Sequence, residues 1–198
     1  MQVFRKSAIF TVLLTLASVA ASAQVSKWQI DPAHSEADFS IKHMAISTVH
    51  GRFGNINGSL NLDEQDITKS GVNATVDITG VDTGVAQRDQ HLKSPDFFDV
   101  AKYPQMAFAS KSLSNANGQM QLIGELTIHG VTKPVTLALE GPSKEQTDPY
   151  GKIRRAFSAT TVIHRQDFGL NWNGNLKSGD TVLGDDVKVE LDIELIKQ

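Results

Sequence analysis

The amino-acid sequence predicts an all-β protein, a single antiparallel β-barrel of about eight strands with one short helical excursion around residues 85–102. Three observations predict this fold. Apolar and polar residues alternate with a period of two along much of the chain, as they do in half-buried strands. Short turns containing glycine or polar residues separate these runs, and such turns join antiparallel strands. Glycines interrupt one strand-like run, which indicates the bends that a closing barrel needs.

The first 23 residues are a separate segment. Arg5 and Lys6 precede an apolar stretch that ends in the sequence ASA at residues 21–23, an order typical of a secretory signal peptide. The apolar stretch is shorter than the roughly 20 residues that span a bilayer. We therefore expect residues 1–23 to be a cleaved signal peptide and not a membrane anchor, and the protein to be exported without stable membrane insertion.

The folded part is expected to be one domain, residues 24–198, a length that suits a single core. Without Arg5 and Lys6, 17 of the 19 basic residues remain against 22 acidic residues, so its formal charge is −5. This charge opposes binding to nucleic acid or to an anionic membrane. The chain has no cysteine, which excludes disulfides, thiol catalysis and thiolate-bound metals.

Five runs show the alternation of half-buried strands. In the first, Ala37, Phe39 and Ile41 alternate with polar residues. The runs lie at residues 37–41, 72–78, 120–128, 135–139 and 187–195. The turns between them are predicted at residues 115–118, 129–130 and 147–151. These short connections favour antiparallel pairing, because parallel strands need longer crossovers.

Two segments depart from simple strands. Gly51, Gly54 and Gly58 fall inside a strand-like stretch, where glycine marks a bulge or bend. Residues 85–104 lack alternation and carry helix formers, which predicts a short helix followed by a second turn. This excursion is expected to cover one end of the barrel, with Phe97 and its neighbour Phe98 as an apolar plug. Alternation alone does not distinguish a barrel with a cavity from a filled barrel or a β-sandwich.

Four segments resemble the YceI family. They are DPAHSEADFSIKHM at residues 31–44, RDQHLKSPDFFDVAKYP at 88–104, LTIHGVTKPVTL at 126–137 and HRQDFGLNW at 164–172. The resemblance spans nearly all of residues 24–198. It implies a lipocalin-like barrel with a helical excursion, residence in the periplasm, and binding of polyisoprenoids or other long-chain amphiphiles inside the barrel. It leaves open whether two copies pair as a homodimer.

The resemblance and the alternation together predict a carrier for a long apolar lipid, a polyisoprenoid or an isoprenoid quinone. Such a tail offers no hydrogen bonds, so its binding must come from apolar burial. By strand parity the inward face includes Phe39, Ile41, Val76, Phe108, Leu126, Leu137, Phe157 and Val189, with Phe53, Phe98 and Met106 near bends or the mouth. Each of these is typical of an ordinary core; the hypothesis concerns the set.

Three polar residues are candidates for contact with a head group. His43 shares the inward parity of Phe39 near a strand end, where it is either a ligand contact or a satisfied core histidine. Arg88 and His91 lie within one helical turn beside the two phenylalanines of the plug, so they either bracket a head group or tether the excursion. A phosphate would favour Arg88, and a quinone carbonyl would accept equally well from His91.

Catalysis is not expected. The six histidines show no H-E-x-x-H spacing, and the sequence contains no G-x-S-x-G elbow and no phosphate-binding glycine loop. We therefore predict no enzyme activity, no cofactor and no metal. Two alternatives stay open: a lipid-modifying enzyme whose site is assembled from distant strands, and a barrel with a solid core that binds a partner protein.

Overall fold

The computed structural model describes residues 25–116 and 118–198. The predicted signal peptide and its cleavage site lie outside these residues. The strands are β1 (Val25–Ile30), β2 (Glu36–His43), β3 (Ser47–Arg52), β4 (Ile56–Asp63), β5 (Gly71–Asp77), β6 (Gln105–Ala116), β7 (Gln119–Ile128), β8 (Val131–Glu140), β9 (Gln146–Thr147), β10 (Ile153–His164) and β11 (Leu183–Lys197). The helices are α1 (Ala86–Lys93) and two 3-10 helices, Ile67–Lys69 and Arg165–Phe168. No helix in these two ranges is long and apolar enough to cross a membrane.

The strands form one antiparallel sheet that closes into a barrel. Pairing follows the order β1, β4, β5, β6, β7, β8, β10 and β11, and β11 then pairs with β1. The seam between the last two strands is long, running from Arg154 opposite Ile196 to His164 opposite Asp186. The predicted closed, eight-stranded antiparallel barrel is confirmed.

β1 and β4 are each extended by a second strand in the same line: β2 extends β1, and β3 extends β4. Along β11, Ile30 of β1 lies opposite Leu195, and Ala37 of β2 lies opposite Leu191. Likewise β3 leads into β4 across a short break that contains Gly54, one of the glycines predicted to mark a bend. β5 pairs with β4 and β6 but with neither β2 nor β3, so the β2–β3 hairpin continues beyond the end of β5.

Two of the hairpin turns that contain residues with positive φ differ in whether a glycine is among these residues. His129 and Gly130, with φ of 51° and 75°, form the two-residue turn between β7 and β8, as predicted. Two successive positive φ angles match the twist of the flanking strands. Three residues connect β2 and β3, and the first two of them, Met44 and Ala45, have φ of 51° and 57°. Neither is glycine, so this turn stores backbone strain.

The excursion between β5 and β6 closes one end of the barrel, which we call the helix end. After α1 the chain turns so that Phe97 and Phe98 are both buried. They pack with Ile78, Met106 and Ile128 in one apolar cluster. The predicted plug is therefore present, and it is formed by the turns that follow α1, because no residue of α1 itself is fully buried.

Trp28 lies at the other end of the barrel, which we call the far end. Its side chain is 1% exposed, and its Nε1–H donates to Oγ of Ser26 at 2.7 Å. The Arg155 guanidinium lies 5.5 Å from the centre of the indole ring. Arg155 is also ion-paired with Glu64 at 3.1 Å and Glu145 at 3.5 Å. The far end thus carries a cation that is balanced by two carboxylates.

Candidate functional site: an apolar cavity in the barrel

A cavity of about 210 Å³ lies inside the barrel. All eight barrel strands contribute side chains to it, and the surface that the described residues present to it is apolar. For comparison, an engineered apolar cavity of roughly 150 Å³ stays dry and takes up benzene. The interior is therefore suited to apolar groups and not to water.

Most of the residues predicted to face the ligand line this cavity. They are Phe53, Val76, Phe98, Met106, Phe108, Leu126, Leu137, Phe157 and Val189. Strand parity places the members within strands correctly, because the closed barrel has one inner face throughout. That these side chains contact a ligand stays a prediction.

Phe39, Ile41 and His43 do not line the cavity. The parity is right, since Ile41 lies opposite Val187, which does line it. However, these three residues belong to the β2–β3 hairpin beyond the end of β5, where the inner side meets the excursion. The ring of Phe39 packs against Phe53 at a centroid distance of 4.8 Å. His43 is the last residue of β2 and is only partly buried.

Arg88 also lies outside the cavity lining. Its Nε donates to Oγ1 of Thr83 at 2.7 Å, and its Nη2 donates to the Thr83 carbonyl at 2.8 Å. The adjacent Asp89 accepts the Thr83 N–H at 2.9 Å. Both side chains thus fasten the start of α1 to the preceding loop, which is the tethering alternative of the two that the sequence allowed.

His91 packs on the outer side of the plug. Its Nε2 lies 2.9 Å from Oδ2 of Asp96, and its ring meets Phe97 and Trp172 edge-on, each at 5.0 Å between centroids. It does not line the cavity. These contacts also tether the excursion, so none of the three polar candidates reaches the cavity directly.

Sequence reasoning missed other lining residues, among them Ile30, Leu113 and Ala159. The alternation of strand residues could have found them, because residues two apart share a face: Ala159, for example, lies two residues after Phe157. The alternation along β10 continues through Thr161 and Ile163 to Arg165, and all of these positions line the cavity. A cation at the end of an inward-facing row was therefore visible in the sequence.

Arg165 is 4% exposed and lies at the helix end, in the 3-10 helix that follows β10. Its Nε donates to the Gly184 carbonyl at 2.8 Å. Its Nη1 donates to the carbonyls of Leu170 and Trp172, the latter at 2.9 Å. Burial lowers the pKa of this guanidinium. The side chain thereby holds the loop between β10 and β11 against the barrel.

Clusters that resemble metal sites lie outside the cavity lining. Asp31, His34 and Glu194 converge, but Nη1 of Arg154 already donates to Asp31 and Glu194. This hydrogen bond from Arg154, with a second from His34, holds the pKa of Asp31 far below its usual range. The other group, around the exposed His164, is solvent-facing. The described lining residues contain one titratable side chain, Arg165.

The YceI-like domain family matches residues 28–195 of this chain. A UPF0312 protein of Vibrio parahaemolyticus is 35% identical over 197 residues, covering 98% of this chain and 100% of the relative.

Two solved structures resemble the fold. BcnA of Burkholderia cenocepacia superposes with a TM-score of 0.72 at 22% identity, covering 83% of this chain and 98% of that protein. A polyisoprenoid-binding domain from Saccharophagus degradans, implicated in plant cell wall breakdown, superposes with a TM-score of 0.62 at 16% identity, covering 88% and 100%. At these identities the likeness establishes a shared barrel fold.

Proposed function

The chain belongs to the YceI-like family, and on this premise we propose that it binds a long apolar lipid inside its barrel and releases it unchanged. The observation that carries the proposal is the apolar cavity lined from all eight barrel strands. The likeness to a polyisoprenoid-binding domain supports a polyisoprenoid or an isoprenoid quinone as the ligand.

Apolar burial supplies the affinity in this proposal. Each buried CH2 contributes about 0.8 kcal/mol before ordering costs are subtracted. A neutral hydrogen bond to a head group adds only about 0.5–1.5 kcal/mol. A tail of several isoprene units therefore dominates binding, and polar groups orient the ligand. The absence of carboxylates, histidines and lysines from the described lining supports a binding protein over a lipid-modifying enzyme.

We further propose that the protein acts in the periplasm. The signal-like sequence of residues 1–23 and the formal charge of −5 for residues 24–198, which is 17 basic minus 22 acidic residues, support export and a soluble carrier. The proposed mechanism is reversible capture, in which the barrel takes the tail out of water, shields it, and releases it at a membrane or at an enzyme.

The test is native mass spectrometry of the protein purified gently from the periplasm of an expressing bacterium, followed by organic extraction. We expect a stoichiometric long-chain lipid, identified as an isoprenoid. A ligand-free mass that persists after incubation with quinones and polyprenyl lipids would overturn the proposal and favour a partner-binding barrel. Recovery of a chemically altered lipid after incubation would instead indicate an enzyme. The same spectrum reports whether the protein is a monomer or a homodimer.

A further inference from the structure

One nitrogen of the Arg165 guanidinium has no hydrogen-bond partner among the described residues. Its Nε and Nη1 are engaged by three backbone carbonyls, but its buried Nη2 has no acceptor within hydrogen-bond distance among residues 25–116 and 118–198. A buried donor without a partner costs free energy comparable to a lost hydrogen bond. An acceptor that came within hydrogen-bond distance of Nη2 would therefore satisfy a donor that is otherwise without a partner.

The positive charge of Arg165 is also uncompensated within the described residues, where no carboxylate is ion-paired with it. Asp185 is close enough to act electrostatically and favours the charged guanidinium. However, the Asp185 side chain is 39% exposed, and its Oδ1 accepts the N–H of Gln166 at 3.0 Å. A buried cation is stable when it is paired with an anion and hydrogen-bonded, and Arg165 has only the second of these.

The two ends of the barrel differ in how the arginine charge is balanced, although Nε of Arg155 at the far end is also buried without an acceptor among the described residues. At the far end, Arg155 is also inward-facing, since it lies opposite Leu195 of the cavity lining. Arg155 is balanced by Glu64 and Glu145 and does not itself line the cavity. Arg165 lines the cavity and has no such partner. A ligand with an anionic end thus gains more at the helix end than at the far end.

Resting on the proposed function, we propose that Arg165 is the head-group site of the cavity. It binds an anionic oxygen, a phosphate or a carboxylate, carried at the end of the apolar chain. The head group lies at the helix end, next to the loop between β10 and β11, and the tail extends toward Trp28. Bidentate hydrogen bonding to such oxygens is the geometry that a guanidinium favours.

The experiment compares three probes by titration calorimetry: a polyprenyl monophosphate, the polyprenol of the same chain length, and inorganic phosphate. The parent is compared with Arg165→Gln, Arg165→Lys and the control Arg155→Gln. We expect the parent to bind the monophosphate at least about tenfold more tightly than the alcohol and not to bind free phosphate measurably. Arg165→Gln should remove this preference, measured within the variant as the ratio of its affinities for the monophosphate and the alcohol, and Arg165→Lys should retain part of it.

Arg155→Gln should keep the preference of the parent, because its guanidinium does not line the cavity. If the Arg165 variants do not fold, side-chain ¹⁵N NMR of the arginine-labelled parent takes their place. The monophosphate should then shift one buried guanidinium resonance that the alcohol leaves unchanged, and that resonance should persist in Arg155→Gln.

The outcomes separate this inference from the proposed function. If the parent binds neither lipid, the proposed function fails. If it binds both lipids equally, the cavity is used but the assignment of Arg165 is wrong. A parallel loss of both lipids in a folded Arg165→Gln protein would show a structural role alone and would also overturn the inference. If inorganic phosphate bound as tightly as the polyprenyl monophosphate, the inference would also be overturned, because the anion site would then be independent of the lipid tail.

Discussion

Nη1 of Arg154 lies 2.6 Å from Oδ2 of Asp31, although the two residues are 123 positions apart in the sequence. The same guanidinium donates to Asp148 at 2.8 Å and to Glu194. One side chain therefore connects the start of β10 to the link between β1 and β2, to the turn before β10, and to β11. These are the segments that meet where the barrel closes.

Arg154→Gln should lower the melting temperature by several degrees, because it leaves partly buried carboxylates without their cation. Thermal unfolding followed by circular dichroism measures this. The matched control is Arg52→Gln, which removes an ion pair of 3.9 Å to Glu36 with both side chains 62% exposed. Exposed pairs of this kind contribute little, so equal effects of the two substitutions would contradict the assigned role of Arg154.

The same network predicts a loss of stability in acid. Hydrogen bonds from Arg154 lower the pKa of both Asp31 and Asp148. A carboxyl whose pKa is lower in the folded state stabilises the fold above its unfolded pKa, which is 3.8, and this contribution disappears as the pH falls through the folded value. Urea unfolding midpoints measured downward from pH 5 should therefore fall more steeply for the parent than for Arg154→Gln. Parallel curves would disprove the link.

Much of the fold follows from local pattern, and the closing contacts do not. The alternation of Val187, Val189 and Leu191 with charged residues predicts β11, because strand periodicity is a local property. The segment between β1 and β2, which contains Asp31, has no comparable local pattern. Asp31 forms its ion pair with Arg154, and the two residues are adjacent only because the barrel closes. Local sequence cannot reveal a partner that tertiary structure brings from a distant position.

The candidate site shows the same division. Parity predicts that Phe108 and Phe157 face inward, and both line the cavity. Alternation also places Phe39 on the inward face. It cannot show that the β2–β3 hairpin continues beyond the end of β5, or that Phe53 packs against the ring of Phe39. Sequence reasoning misses Arg165 because the inward face is recognised by its apolar residues, although the position of Arg165 continues the alternation of β10.

Filling the cavity should reduce lipid uptake. Ala159 lies in the cavity lining and is 5% exposed, so Ala159→Phe places a ring in the space proposed for the tail. We expect at least a tenfold weaker affinity for a polyprenol, measured by calorimetry. Ala156→Phe adds the same ring on the exposed side of β10 and should bind like the parent. Undiminished binding by a folded Ala159→Phe protein would place the ligand elsewhere.

Gly124 should not tolerate a side chain. A Cβ there would overlap the ring of Phe108 and lie 2.7 Å from the Ala109 carbonyl. We expect Gly124→Ala to destabilise the protein by about 1–3 kcal/mol through overpacking, measured by urea unfolding. At Gly71, whose nearest neighbour would be Oγ of Ser110 at 3.5 Å, the same change should be nearly neutral. A neutral Gly124→Ala would mean that Phe108 readily leaves this position.

The β2–β3 turn should gain from glycine. Ala45 has a φ of 57°, a conformation that costs an L-residue roughly 1–2 kcal/mol, while glycine loses about 0.5–1 kcal/mol more entropy on folding. Ala45→Gly should therefore raise stability by about 0.5–1 kcal/mol, whereas Ala107→Gly within β6 should lower it by about 0.5–1 kcal/mol. Chemical denaturation checks both, and a destabilised Ala45→Gly protein would argue against strain at this turn.

The pairing of Ile30 with Leu195 also sets the order in which the chain can fold. The first and last strands are neighbours, so the ring of strands has no closed form until the 15 residues of β11 are present. Before that, β10, β1 and β2 each expose an unpaired edge, and such edges are sites for association with other chains. Nascent or C-terminally truncated chains are thus the aggregation-prone species, and a chaperone that covers open strand edges would be needed only until the C-terminus emerges.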